Sequence, residues 1–222
     1  MARPPRPEPK FFLREDAVDL GYAGYRIQHF SHWRDQPVLG EKSTSYIERA
    51  DCIARISAVL PDASLIFVLR DPIQRAYSNW RFSSDQGIET LSFEAALAAE
   101  PARIASWNGG GVSVCPFAYV ARGHYARYLE PWERHFPSAQ IILTTSEMLF
   151  AGGSALSELF ARVGLDITEL NIETEPANMS EDEEDGYPDD AVARELRDCY
   201  DDDMRSLQER WGLDINAWLS NR

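Results

Sequence analysis

Residues 67–80 read FVLRDPIQRAYSNW, and they contain a complete transition from a strand to a helix. The apolar run over residues 64–69 predicts a strand that is buried on both faces, as in a parallel sheet. Asp71 is a favourable N-cap, and Pro72 suits the first position of a helix. We therefore expect a helix that begins at Pro72 and extends to about Phe82.

Upstream of this segment, residues 36–41 (QPVLGE) predict a short strand. Ser45 then predicts the start of a helix, with Glu48 placed to complete a capping box. Pro61 would end this helix. The expected buried face follows helical spacing and consists of Ala50, Ile53, Ala54, Ile56 and Leu60.

Downstream, predicted helices and strands alternate. We expect helices over residues 120–135, 156–163 and 190–211 and a strand over residues 140–144, whereas residues 91–114 form a variable-looking region rich in Ala and Gly. The alternation favours a doubly wound parallel sheet flanked by helices. The last helix has an apolar face made of Val192, Leu196, Tyr200, Leu207 and Trp211.

Length and charge limit the classes of protein and of partner. The chain of 222 residues is long enough for one α/β domain, 1–222, and its formal net charge is −14. An acidic surface repels phosphate backbones, so nucleic acid is not an expected partner, and a heavily sulfated polymer is disfavoured as a substrate. The sequence has no apolar run that could span a bilayer, so no membrane partner is expected, and it allows a homo-oligomer.

The cysteines and the N-terminus bear on location and metals. Cys52, Cys115 and Cys199 are scattered without the spacing of a metal site, which is typical of reduced thiols. The N-terminal residues lack the apolar core of a secretory signal. We therefore expect a cytoplasmic protein without a bound metal.

The end of the predicted strand and the start of the next helix form a candidate phosphate site. In open parallel sheets ligands bind beyond the carboxyl ends of the strands, and the start of a helix offers N–H groups to an anion. Arg70 adds a permanently charged guanidinium, and Ser78 could present a hydroxyl on the same side. The alternative is a local ion pair between Arg70 and Asp71, with Ser78 incidental.

Several segments together resemble a known family. The motif at residues 70–78 (RDPIQRAYS) is similar to the 3′-phosphate-binding motif of sulfotransferases that use 3′-phosphoadenosine 5′-phosphosulfate (PAPS). Residues 8–12 (EPKFF), 40–46 (GEKSTSY) and 123–125 (GHY) resemble further motifs of heparan-sulfate-type and related bacterial sulfotransferases, in the same order. The resemblance implies the sulfotransferase fold, which is similar to that of P-loop NTPases.

The resemblance also implies roles for four residues. It assigns the 3′-phosphate of PAPS to Arg70 and Ser78, the general base to Glu8, and stabilisation of charge on the bridging oxygen to Lys42. The implied reaction transfers a sulfuryl group from PAPS, as co-substrate, to a hydroxyl or amine of a small molecule or glycan. No metal is implied.

Two departures from the family pattern leave an alternative open. The family has a first strand and a Gly- and Thr-rich loop with a lysine, which binds the 5′-phosphosulfate; we expect both to be missing here. A Lys-Gly-Arg element is also absent where residues 178–188 read NMSEDEEDGYP. The alternative function is therefore a catalytically inactive nucleotide-binding or interaction domain. A P-loop phosphotransferase is disfavoured because the sequence has no Gly-Lys-Ser/Thr loop.

Overall fold

The computed structural model describes residues 1, 3–4, 8–109, 113–167 and 187–220. Short 3-10 helices lie at Phe11–Leu13, Thr44–Glu48, Ala121–Gly123 and Ser138–Gln140. The other elements, in chain order, are α1 (Ala17–Phe30), α2 (Ala50–Val59), β1 (Leu65–Leu69), α3 (Pro72–Asp85), α4 (Phe93–Ser106), α5 (Tyr125–Glu133), β2 (Ile141–Thr145), α6 (Ser146–Ala151), α7 (Gly153–Arg162), α8 (Asp190–Trp211) and α9 (Asn216–Ser220).

The sheet of the described residues consists of β1 paired with β2 in parallel. This arrangement of helices around parallel strands confirms the predicted α/β class. The prediction that β1 is buried on both faces is wrong, because Ile66 is 42% exposed and Val68 is 51% exposed. Successive side chains of a strand point to opposite faces, and only the face that carries Leu69 is covered here.

The described residues fall into two compact units. The first lies within Met1–Phe67, Tyr128–Ile142 and Met148–Thr174, and the second lies within Val68–Arg127, Leu143–Glu147 and Glu175–Arg222. Both strands contribute residues to each unit. The single domain over residues 1–222 stays a prediction.

An aromatic cluster forms the core at the start of the first unit. The ring of Phe11 lies 5.1 Å from that of Phe12 and 5.2 Å from that of Tyr25, and the rings of Phe12 and Tyr46 are 5.8 Å apart. The Cys52 thiol of α2 donates to the Phe12 carbonyl at 3.3 Å. Residues 8–12 are therefore anchored by the two buried phenylalanines that end this segment.

A buried carboxylate organises the second unit. Glu89 accepts hydrogen bonds from Arg103 at 2.5 Å and from the Tyr119 hydroxyl at 2.9 Å. The Thr90 and Leu91 amides also donate to it, at 2.8 and 2.9 Å. These partners hold the pKa of Glu89 at about 2, although its burial opposes ionisation. The loop between α3 and α4 is thus fixed to the segment that follows α4.

Several predicted elements agree with the structure. Strand β2 (Ile141–Thr145) and helix α8 (Asp190–Trp211) match the expected segments closely, and helices α3 (Pro72–Asp85) and α7 (Gly153–Arg162) cover theirs. On α8 the buried residues are Ala193, Leu196, Tyr200, Met204 and Leu207, whereas Val192 and Trp211 are half-buried.

Other boundaries were wrong for local reasons. The predicted strand over residues 36–41 is reduced to a bridge at Leu39. Helix α2 begins at Ala50 rather than at Ser45, because Arg49 has an extended backbone that separates it from the preceding 3-10 helix. Ser45 therefore lies within the 3-10 helix, and the N-cap of α2 is Arg49.

The remaining two differences concern residues 91–135. Helix α4 (Phe93–Ser106) occupies a region without clear periodicity, and the Ser92 hydroxyl caps it by accepting from the Ala95 amide at 3.4 Å. The predicted helix over residues 120–135 is divided, because His124 has a non-helical backbone between the 3-10 helix and α5.

Gly123 provides a test of the packing in the second unit. A Cβ atom at this position would lie 2.6 Å from the Tyr200 hydroxyl oxygen and 2.7 Å from the ring carbon that carries it. We expect Gly123→Ala to lower the free energy of unfolding by about 1–3 kcal/mol, since the fully buried ring of α8 has no room to move. Urea denaturation measures this loss.

Gly40→Ala is the matched control. Its Cβ would lie 2.7 Å from the Met1 sulfur, which is the far end of a flexible side chain and can move away. We expect a change below about 0.5 kcal/mol for the control. Equal stabilities for the two variants would contradict the assigned contact of Gly123 with Tyr200.

Candidate active site

The N-cap residue of α3, Asp71, occupies the amides at the start of this helix. The Asp71 carboxylate accepts from the Ile73 amide at 2.8 Å and from the Gln74 amide at 3.5 Å. The Arg75 amide donates to the Asp71 carbonyl at 2.9 Å, and Pro72 has no N–H group. Burial raises the pKa of Asp71, although the two amides act against it. The expectation that the helix start offers free N–H groups to an anion is therefore wrong for the amides of Ile73, Gln74 and Arg75.

Arg70 and Ser78 lie on one side of this helix start. Arg70 is exposed directly after β1, and its guanidinium donates to the Gln74 side-chain oxygen at 3.4 Å. Ser78 is half-buried and follows Gln74 by one helical turn, so these two residues share a face of α3. Arg70 forms no ion pair with Asp71, whose second carboxylate oxygen is buried without a hydrogen bond to any described group. The local ion pair considered as an alternative is thus not formed.

Glu8 is the centre of a charged cluster in the first unit. One carboxylate oxygen lies 3.1 Å from the Lys42 ammonium and accepts from the Thr44 hydroxyl at 3.0 Å. The other oxygen lies 3.6 Å from the Lys10 ammonium. Partial burial acts to raise the pKa of Glu8, but the Lys42 ammonium and the Thr44 hydroxyl outweigh it and hold the pKa below its ordinary value. Glu8 is therefore ionised at neutral pH.

The backbone around Glu8 explains this geometry. The Lys10 amide donates to the Ser43 hydroxyl at 3.1 Å, and the Phe12 amide donates to the Tyr46 hydroxyl at 3.2 Å. Lys10 itself has a left-handed backbone, with φ of 54°, at the start of the first 3-10 helix. These contacts join residues 8–12 to residues 41–46 side by side, so that Glu8 is held next to the loop that carries Lys42.

Glu41 is a second carboxyl group of the first unit, and it lies in the loop that carries Lys42. Burial raises its pKa to about 7, although the Tyr46 hydroxyl donates to it and acts in the opposite direction; the nearby charge of Glu8 adds to the rise. One of its oxygens is buried without a hydrogen bond to a described group. Glu8 and Glu41 therefore differ in protonation near neutral pH, because one faces a lysine and the other faces the interior.

The four site residues predicted from the sequence form two pairs in the structure. Glu8 and Lys42 are brought together in the first unit, and Arg70 and Ser78 share one side of α3 in the second. Lys10, Glu41 and Thr44 lie in the motifs quoted from the sequence, but the sequence assigned no role to them. Their proximity to Glu8 follows from how the two segments pair.

The remaining features considered in the sequence contribute less to the description of the site. The acidic stretch at residues 180–186 and most of the segment where a Lys-Gly-Arg element was expected lie outside the described residues. Within the described ranges, no cluster of three or more His, Cys, Asp or Glu side chains is arranged to hold a metal ion. No helix there is long and apolar enough to cross a membrane.

The fold and the sequence are similar to those of known sulfotransferases. The fold resembles that of a sulfotransferase from Alicyclobacillus acidocaldarius, with a TM-score of 0.73 over 97% of this chain and 87% of the other, at 24% identity. The chain is thus an α/β protein with the sulfotransferase fold. A sequence profile described as the sulfotransferase family matches residues 7–115, a range that includes Glu8, Lys42, Arg70 and Ser78.

Sequence relatives point to the same family. Heparan sulfate glucosamine 3-O-sulfotransferase 3B1 of Mus musculus is 33% identical over 64% of this chain and 34% of its own length. Bifunctional heparan sulfate N-deacetylase/N-sulfotransferase 3 of Mus musculus is 30% identical over 50% of this chain and 12% of its own length. Together these similarities support a relationship of this chain to PAPS-dependent sulfotransferases. It spans about a third of the length of the 3-O-sulfotransferase that it matches.

Glu41→Gln tests the buried carboxyl. Between pH 4.5, its ordinary pKa, and about 7, the unfolded chain releases a proton that folded Glu41 retains. Above this range Glu41 is ionised in both the folded and the unfolded chain, and the burial of its charge destabilises the folded state. Glu41 thus makes the free energy of unfolding fall as pH rises from about 4.5 to 7, by up to about 3 kcal/mol. Gln keeps an acceptor for Tyr46 and should remove this contribution.

Urea denaturation at pH 5 and pH 8 provides the measurement. We expect the variant to lose less stability than the wild type between the two pH values. Asp51→Asn is the control, because the Arg49 guanidinium and other partners hold the pKa of Asp51 at about 2, below this range. Parallel curves for the wild type and Glu41→Gln would refute a raised pKa.

Proposed function

We propose that this chain is a sulfotransferase that moves a sulfuryl group from PAPS to a hydroxyl or amine of a small molecule or glycan. The observation that carries the proposal is the contact of Glu8 with Lys42 and Thr44 in the first unit. It joins a carboxylate and an ammonium, the two groups that the transfer needs, and both lie inside the range that matches the family. The relatives are sulfotransferases of heparan sulfate, and nothing in the comparisons favours an inactive domain.

The proposed chemistry is an in-line displacement at sulfur. The acceptor oxygen or nitrogen forms a new bond to sulfur while the bond from sulfur to the bridging phosphate oxygen breaks, and the nucleotide leaves as 3′-phosphoadenosine 5′-phosphate (PAP). The acceptor proton passes to the Glu8 carboxylate. Lys42 is 72% exposed and can reach the charge that develops on the bridging oxygen, while its contact with Glu8 keeps the base ionised.

The donor side of the proposal rests on Arg70 and Ser78. The amides of the first turn of α3 are engaged by Asp71, so the guanidinium and the hydroxyl are the groups offered to the 3′-phosphate. A guanidinium can donate two parallel hydrogen bonds to a phosphate. Recognition by these two side chains would distinguish PAP from 5′-AMP, because only the former carries the 3′-phosphate.

The acceptor is proposed as a class only. The matched relatives are named for heparan sulfate, a glycan, which supports a glycan or a smaller molecule with a free hydroxyl or amine. The net charge of −14 favours an acceptor that is less anionic than a heavily sulfated polymer. A bacterial origin and a cytoplasmic location are proposed on the sequence pattern, and the three free thiols fit a reducing compartment. A homo-oligomer stays a prediction.

Calorimetric titration with PAP, with 5′-AMP as reference ligand, tests the donor side. We expect Arg70→Ala to weaken PAP binding at least about 30-fold and Ser78→Ala about fivefold, with little effect on 5′-AMP. Arg194→Ala, on the exposed surface of α8, removes the same charge and serves as the control. Equal affinity of the wild type for PAP and 5′-AMP would contradict the proposed donor.

Glu8→Gln tests the base. The amide keeps the size of the side chain and accepts from Thr44 but cannot take up the acceptor proton, so sulfuryl transfer should fall by about 10²–10⁴-fold while PAP affinity is retained. Transfer is followed with labelled PAPS and a panel of hydroxyl and amine acceptors. Glu195→Gln, at an exposed position of α8, is the matched control. Turnover of Glu8→Gln at the wild-type rate would show that another group is the base.

A further inference from the structure

We propose that Tyr125 is a positioning residue for the donor site: its hydroxyl orients Arg70 through the main chain, and α8 holds Tyr125 in place. This inference rests on the proposed function, since it concerns how the proposed 3′-phosphate ligand is aimed. All of the residues involved belong to the second unit.

The contact that carries the inference joins a side chain to the main chain. The Tyr125 hydroxyl donates to the Arg70 carbonyl oxygen at 2.8 Å, and the tyrosine is buried. Arg70 lies one residue past the end of β1 and one residue before the cap of α3. The bonded carbonyl belongs to the peptide between Arg70 and Asp71. Holding this peptide restrains the Cα atom of Arg70, from which the side chain leaves the backbone.

Tyr125 is itself fixed by α8. It is the first residue of α5, and the next amide, that of Ala126, donates to the two carboxylate oxygens of Asp203 at 3.0 and 3.3 Å. Asp203 lies in the middle of α8 and so takes the place of an N-cap for α5. The first turn of α5 is thus tied to a 22-residue helix.

The segment before Tyr125 is held from two further directions. The Tyr200 hydroxyl of α8 donates to the Val120 carbonyl at 3.1 Å. The Glu100 carboxylate of α4 accepts from the amides of Val120 and Ala121, each at 2.7 Å. Gly123 leaves room for the Tyr200 ring. Because side chains of α4 and α8 both hydrogen-bond to this segment, the Tyr125 hydroxyl has little freedom to follow a displaced Arg70.

A conservative substitution distinguishes this positioning role of Tyr125 from simple packing. Tyr125→Phe removes the hydroxyl and keeps the ring, so the core is preserved. We expect it to weaken PAP binding about five- to tenfold and to leave 5′-AMP binding unchanged, which lowers the ratio of the two affinities. In an Arg70→Ala background the same change should have no further effect on PAP, since the side chain to be aimed is gone.

Tyr119→Phe is the matched control. It also removes a buried hydroxyl with a hydrogen bond, in this case to Glu89 at 2.9 Å, and should lower the melting temperature without changing the ratio of PAP to 5′-AMP affinity. Asp203→Ala is a second test variant. It removes the cap of α5 and should shift the affinity ratio in the same direction as Tyr125→Phe.

The outcomes distinguish the positioning role of Tyr125 from the proposed sulfotransferase function on which it rests. If the wild type prefers PAP and Tyr125→Phe retains the full preference, or if its effect adds to that of Arg70→Ala, the positioning role is overturned and the proposed function stands. If the wild type shows no preference for PAP, the donor assignment fails and the role of Tyr125 fails with it. A reduced ratio in Tyr125→Phe that vanishes in the Arg70→Ala background supports the inference.

Discussion

The hydrogen bond from the Ile73 amide to the Asp71 carboxylate, 2.8 Å long, fixes the point at which β1 ends and α3 begins. Because Asp71 and the helix backbone use the first amides of α3, this helix start is unlike an anion site built from free N–H groups. The proposed recognition of the 3′-phosphate therefore relies on the side chains of Arg70, just before the cap, and Ser78, two turns after it.

Glu8 and Glu41, two carboxyl groups of the first unit, have different environments and therefore different pKa values. Glu8 faces Lys42 and Thr44, so its pKa lies below the ordinary value, whereas burial raises the pKa of Glu41 to about 7. A carboxylate with a depressed pKa is a weaker base, yet it is fully available at neutral pH. Lys42 therefore has two effects on the proposed reaction: it keeps Glu8 ionised, and it offers positive charge to the departing group.

The sequence predicted those parts of the structure that depend on local chemistry. Asp71 and Pro72 define the start of α3, and the apolar spacing along α8 defines that helix to its ends. The exposed face of β1 could not be predicted, because burial of Ile66 and Val68 depends on which elements cover the sheet. Helix α4 was missed because Ala-rich, weakly periodic residues are compatible with either a helix or a loop.

The candidate site shows the same division. Glu8, Lys42, Arg70, Ser78 and Tyr125 all lie in recognisable motifs. The motif that contains Tyr125 does not reveal that its hydroxyl reaches the carbonyl of a residue 55 positions earlier in the chain. A side-chain bond to a carbonyl leaves no pattern in the sequence, since any residue supplies that carbonyl. Motifs therefore identify candidate residues, whereas the contact through which Tyr125 would position Arg70 follows from the tertiary structure. In a site that relies on two side chains rather than a row of amides, aiming has a direct effect on affinity, because each lost hydrogen bond is a large share of the total.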